Sequence, residues 1–292
     1  MAAQSVIAPV VFLASLCLSP MLSTHAAENQ PWQLTWSDEG VGDAGAPPDP
    51  AKWTHDVGGH GWGNAEPQTY TSPEHPAPAG LNAFYDGQGH LVLEARREKH
   101  AGPDGIAADF TSARLKTQGR FSQAYGRFEA RLHLPQGQGI WPAFWMLGDS
   151  FADVGWPACG EIDIMEFIGH ERHRIHGTVH GPGYSGADGI GQSITFPHAD
   201  RSGGFADDFH VFAVEWEPNE IRWFVDDTLY HTLTPDQLNG HAWVFNAPHF
   251  LILNIATGGH WPQYPDETTT FPQRMRVDYV RVYQRDEKSV GP

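Results

Sequence analysis

Along much of this chain apolar and polar residues alternate one for one, the period of a strand that buries one face. In YGRFEARLHL (125–134), Phe128, Ala130, Leu132 and Leu134 fall on one face and Arg127, Glu129, Arg131 and His133 on the other. HVFAVEWEP (210–218) predicts another strand; after a turn at Pro218–Asn219, EIRWFVDDTLYHT predicts two more that reverse at Asp226–Asp227. HLVLEAR (90–96), RIHGTVHG (174–181), FLILNIA (250–256) and RMRVDYVRVYQ (274–284) also read as strands. Helical periodicity is confined to one turn near Pro235 to Leu238. Many short strands between Gly- and Pro-rich loops predict an all-β chain, a sandwich or jelly roll of stacked antiparallel sheets.

One stretch strains this pattern. GEIDIMEFIG (160–169) places Glu161, Asp163 and Glu166 among apolar residues. Regular alternation would put Glu161 and Asp163 on one face and Glu166, at an odd offset, on the other. A β-bulge at Ile164–Met165 would turn Glu166 back to join them, with Ile162 and Ile164 anchored in the core. An E-x-D pair alone is most simply a solvated face. A third acid on the same face makes like charges repel and disfavours ionisation of at least one, a cost that points to catalysis.

Aromatic residues are the next signal. Trp62, Trp141, Trp145, Trp156 and Trp261 sit in turn-like contexts beside Gly, Pro or polar residues, where an indole face can stack on a sugar ring. Trp141 and Trp145, just upstream of the acids, are the favoured platforms, whereas Trp53, Trp216, Trp223 and Trp243 are expected in the core. His170, His173, His176 and His180 follow the acidic stretch, but their spacing lacks the helical i, i+4 geometry of a zinc protease. His180, at a strand end, is better read as a hydrogen-bonding residue near the cleft.

The formal net charge of −17 disfavours nucleic acid, anionic membranes and strongly acidic polysaccharides, and favours a neutral substrate. The first 27 residues carry no Lys, Arg, Asp or Glu and include VIAPVVFLASLCL, which predicts a secretory signal cleaved after Ala26 or Ala27. Leu16 is bulky where a lipid-anchor site before Cys17 wants a small residue. The expected product is a secreted protein with no membrane attachment after cleavage. Its remaining cysteine, Cys159, has no intrachain partner for a disulfide.

Together the carboxylate motif E-I-D-I-M-E, WPAFWMLG, HGTVHGPGYSG, FHVFAVEWEP, ILNIATGGHWP and MRVDYVRVYQ resemble, in order, the glycoside hydrolase family 16 β-glucanases, and within them the bacterial laminarinases. The resemblance spans about residues 32–284 and matches the bulged branch of the family. It implies one jelly-roll domain over residues 28–292 with a concave substrate groove, and endo-acting, retaining cleavage of β-1,3-glucan by a monomer. It makes Glu161 the nucleophile, Glu166 the general acid/base and Asp163 their helper, with no cofactor for catalysis. Asn64, Arg96, Trp141, Trp145, His180 and Trp261 match substrate-contacting positions, although Pro67, Thr69 and Phe167 depart from the common pattern. Glu39, Gly89 and Asp278 match the positions of a structural Ca²⁺, to which backbone oxygens contribute. Mixed-linkage β-1,3-1,4-glucan or β-1,3-galactan are alternative substrates for the same machinery, and a non-catalytic glucan-binding module is the alternative of another class.

Overall fold

The computed structural model describes residues 1, 31–195 and 203–285, so the expected signal segment, Met1 apart, lies outside the described residues. As the alternation predicts, strands dominate and form two large antiparallel sheets. The outer sheet runs in the order Thr228–Leu233, Glu220–Val225, His210–Glu217, Gly126–His133, Gln273–Gln284, Leu91–Ala95 and Ala83–Tyr85, with Gln33–Asp38 also paired to Gln273–Gln284. The groove sheet runs Ile190–Thr195, Arg174–His180, Glu161–Phe167, Ile140–Gly148, His249–Thr257, Arg114–Lys116 and Thr54–His55. Strands far apart in sequence lie side by side, as Gly126–His133 does with Gln273–Gln284, and long connections of this kind make the fold a jelly roll.

Alternation decides which residues fill the space between the sheets. Phe128, Ala130 and Leu132 face inward from the outer sheet, and Phe144, Met146, Ile162, Leu251 and Leu253 from the groove sheet, all fully buried. Burying each large apolar side chain contributes about 1.5–3 kcal/mol, and a one-residue slip would expose a whole row, so register is strongly held. Register nevertheless shifts in several ladders, and two of these places bear on the expected sites. In Gln273–Gln284 the shift falls beside Asp278, so buried positions step from Val277 to Val280. The other lies in Glu161–Phe167.

Some details depart from the expected pattern. Trp141 and Trp145 lie on the regular strand Ile140–Gly148 rather than in turns, because the apolar residues Phe144 and Met146 commit that segment to the core. Trp53, Trp216 and Trp223 are buried, but Trp243 is only partly so, edge-on to Phe245 at 5.0 Å between ring centroids. A helical turn at Phe151–Val154, which the sequence pattern does not announce, lies in the loop that returns the chain to the acidic strand. That loop passes so close that a Cβ on Gly148 would lie 1.9 Å from the Cys159 carbonyl oxygen.

Candidate active site

Glu161–Phe167 lies between Ile140–Gly148 and Arg174–His180, and both ladders skip a residue at the same place. Asp163 pairs with Thr178 and Glu166 with His176, so three steps on one strand match two on the other. The extra residue is the β-bulge expected at Ile164–Met165. Ile162, Ile164 and Met165 are buried in the core, while Glu161 and Asp163 lie on the far face and Glu166 rejoins them past the bulge.

The acids are crowded and poorly solvated. Asp163 is 3% exposed and Glu166 8%, and the Glu161 side chain retains 16%. His180, the cross-strand partner of Glu161, sets its Nε2 3.2 Å from Asp163 Oδ2 and 3.7 Å from Glu161 Oε1. Trp156 donates its indole N–H to Glu161 Oε2 at 2.8 Å. Burial first, then the Asp163 charge, raises Glu161 above the usual carboxylate range, with His180 and the Trp156 N–H acting in the other direction. Burial likewise raises Asp163, offset in part by hydrogen bonding with Glu161. Glu166 is pushed up most clearly, by burial and then by the charge of Asp163. The set therefore favours holding at least one proton, with the N–H donor placed on Glu161.

The groove face beside the acids carries the expected aromatic residues. Trp145 pairs across the ladder with Asp163, and its indole N–H donates to Asn254 Oδ1 at 2.7 Å. Asn254 continues to the Tyr70 hydroxyl at 3.3 Å, which donates to Glu66 Oε2 at 3.2 Å. The buried Glu66 also accepts from Asn64 at 3.2 Å and Gln68 at 2.7 Å, so Asn64 joins the site through this network. Trp141 stands edge-on to Trp261 at 5.4 Å, and the His176 ring also meets Trp261 edge-on at 5.0 Å. Trp261 and Trp156 remain exposed enough to offer a ring face.

Arg96 stands apart from this group. Its guanidinium is engaged by Glu94 and Glu98 and by the carbonyls of Gly80 and Leu81, the pattern of a loop clamp. The cation beside the acids is Arg114, held by Asp56 at 2.9 Å with its guanidinium 4.9 Å from the Trp62 ring centroid and 4.7 Å from that of Trp145. Sequence reasoning missed Arg114, Glu66 and Asn254. Arg114 and Lys116 alternate with Leu115 in ARLKT, a short pattern that by itself says only that both cations leave the core.

On the outer sheet, Gly89 and Asp278 carbonyl oxygens lie 2.6 and 3.0 Å from the position a Cβ on Gly40 would take, and Gly40 has a positive φ that suits glycine. Two hard oxygen donors thus converge at the expected Ca²⁺ position, which fits that ion's chemistry. The carboxylates turn elsewhere: Glu39 makes two hydrogen bonds with Arg281, at 3.0 and 2.6 Å, and Asp278 accepts from Arg131 at 2.7 Å. Backbone oxygens, rather than these side chains, are what the site offers.

Comparison with known proteins agrees with the geometry. The Rhodothermus marinus protein named beta-glucanase is 45% identical over 285 residues, covering 94% of this chain and 93% of the relative. The laminarinase catalytic domain of Thermotoga maritima superposes with a TM-score of 0.79 at 49% identity, covering 88% of this chain and 99% of that one. The endo-β-1,3-glucanase of Pyrococcus furiosus does so with 0.81 at 46% identity, covering 89% and 97%. The family model for glycosyl hydrolases family 16 matches residues 79–281 across the acidic strand and both sheets, and the chain belongs to that family.

Proposed function

We propose that the protein is an endo-acting, retaining hydrolase of β-1,3-glucan. The observation that carries this reading is the double ladder shift at Ile164–Met165, which gathers Glu161, Asp163 and Glu166 on one face of the groove sheet. The relatives named as laminarinases and endo-β-1,3-glucanases support the choice of linkage. An acidic protein with exposed indoles in its groove suits a neutral polysaccharide.

In the mechanism, Glu161 attacks the anomeric carbon while Glu166 gives its proton to the departing glycosidic oxygen. The environment supplies the division of labour: Trp156 donates to Glu161, and Glu166 is deeply buried beside like charges that favour its protonated form. When Glu161 becomes a glycosyl ester its charge disappears, so Glu166, which has passed its proton to the leaving oxygen, stays ionised more readily; it then takes a proton from the water that attacks the anomeric carbon and releases Glu161 as a carboxylate. Asp163, between His180 and Glu161, orients the nucleophile. Trp141, Trp145, Trp261 and Asn64 line the path of the glucan. The calcium ion, if bound by the Gly89 and Asp278 oxygens, would tie the outer sheet to the loop at Gly40 and take no part in the chemistry. Secretion through the first 27 residues and action as a monomeric domain over residues 28–292 complete the proposal.

Reducing-sugar release from laminarin, lichenan and β-1,3-galactan tests the substrate. Laminarin is expected to be cleaved fastest, and a rate far below the other two would overturn the linkage. Proton NMR of the first product is expected to show the β-anomer; an α-anomer at early times would overturn retention.

A further inference from the structure

The bulge that aims Glu166 is not held by the groove sheet alone. Trp223, fully buried on the outer-sheet strand Glu220–Val225, reaches across the sandwich and donates its indole N–H to the Asp163 backbone carbonyl at 2.8 Å. Asp163 is the last residue in register before the ladder shifts on both sides. A carbonyl turned toward an apolar core would otherwise lose its solvation without a partner.

Two further features bring the indole to that point. Gly177, on the neighbouring strand, leaves a hole: a Cβ there would lie 2.5 Å from Trp223 Cδ1, 2.8 Å from its Nε1 and 2.4 Å from the Tyr230 hydroxyl. The outer sheet also shifts register opposite this place, where Trp223 pairs with His231 and Phe224 with Leu229, so Tyr230 is itself an extra residue. That shift accompanies a stack of the His231 ring on Trp223, at 4.7 Å and 26° between planes. One hydrogen bond therefore joins the bulged strand Glu161–Phe167 to Glu220–Val225, whose own ladder with Thr228–Leu233 is irregular.

We propose that Trp223 is a positioning residue for Glu166, fixing the catalytic bulge from the opposite sheet through the Asp163 carbonyl. The inference rests on the assignment of Glu166 as the acid/base. Without the N–H, the backbone between Asp163 and Glu166 relaxes toward other geometries, and the acid spends less time aimed at the glycosidic oxygen. Substrate contacts on the groove face stay as they are, because Trp223 touches none of them.

The test compares wild type with Trp223→Phe, and with 3-benzothienylalanine incorporated at position 223, which replaces the indole N–H by sulfur and keeps the shape. Both replacements are expected to lower kcat on laminarin by about tenfold, to leave KM within about twofold, and to shift the alkaline limb of the pH–rate profile. The benzothienyl protein should retain a cooperative melt. Wild-type kcat and pH profile in the benzothienyl protein would overturn the proposal and leave Trp223 as packing only, whether or not Trp223→Phe folds. Failure of the wild type itself to cleave laminarin would instead defeat the assigned function, so the two failures are separable.

Discussion

Acidic side chains on the two sheets of this molecule are treated in opposite ways. On the outer sheet Glu129 accepts from Arg127 at 2.7 Å, Glu215 from Arg127 and Arg222 at 3.2 and 3.0 Å, and Glu39 and Asp278 each face an arginine. On the groove sheet Glu161, Asp163 and Glu166 share a face and, among the described residues, no arginine or lysine makes a salt bridge with them; their polar neighbours include His180 and the Trp156 N–H. Both arrangements sit on strands of the same alternating pattern. The difference shows that burial and charge crowding are tolerated where they keep a proton in place, and neutralised where the acid only has to be folded.

The largest break in that contrast comes from removing a charge on each side. Glu161→Gln and Glu166→Gln are each expected to lower kcat on laminarin by about 10³-fold or more, since the proposed nucleophile and acid/base are lost in turn. Glu129→Gln, on the outer sheet, is expected to keep kcat within about twofold, because its effect is confined to stability. Steady-state kinetics on the folded variants measures all three, and an equal loss in Glu129→Gln would erase the distinction between the faces.

A second test uses pH. The Asp163 charge raises both Glu161 and Glu166, so Asp163→Asn should move both limbs of the kcat/KM profile to lower pH. The limbs belong to the coupled set rather than to single residues. A profile displaced upward would show that Asp163 acts by something other than its charge.

A smaller effect is expected in stability. Glu166 titrates well above the ordinary carboxylate value of the unfolded chain, so its protonated form is the one the fold prefers. Its contribution is fully present below that unfolded value and is lost as pH rises toward the folded one. Glu166→Gln, which cannot ionise, should therefore melt higher than wild type at pH 8, by on the order of 2–4 °C, with the advantage vanishing near pH 4. Glu129→Gln should melt lower than wild type at pH 8. Thermal melts at the two pH values check both signs.

The smallest effect concerns the platform. Trp145→Phe keeps a ring but removes the donor to Asn254, and one neutral hydrogen bond corresponds to a change of about two- to tenfold in KM. kcat should hold within about twofold. A large fall in kcat would move Trp145 from the sugar path into the chemistry.

Much of this was legible in the residues. Alternation in YGRFEARLHL and FLILNIA identified the core faces, because exposing a row of Phe, Leu and Ile is costly enough to fix register. The bulge could be inferred because three acids and a buried Ile162 cannot otherwise both be accommodated. What alternation could not show is who stands opposite whom. Arg114 reaches Trp145 through pairing of Arg114–Lys116 with His249–Thr257, more than a hundred residues away in the chain. The chain Trp145–Asn254–Tyr70–Glu66 draws on three segments with no common motif. Arg96 matched a substrate position in sequence, yet the acids at 94 and 98 and two carbonyls claim it locally.

The proposed roles, Glu161 as the nucleophile and Glu166 as the proton carrier, differ in which carboxylate bonds to the sugar. An activated 2-deoxy-2-fluoro glycoside of a β-1,3-linked glucose disaccharide, followed by peptide mass mapping, tests this most directly. One fluorosugar per protein is expected, attached at Glu161, with none in Glu161→Gln. A label on Glu166 or Asp163, or wild-type labelling in Glu161→Gln, would contradict these roles.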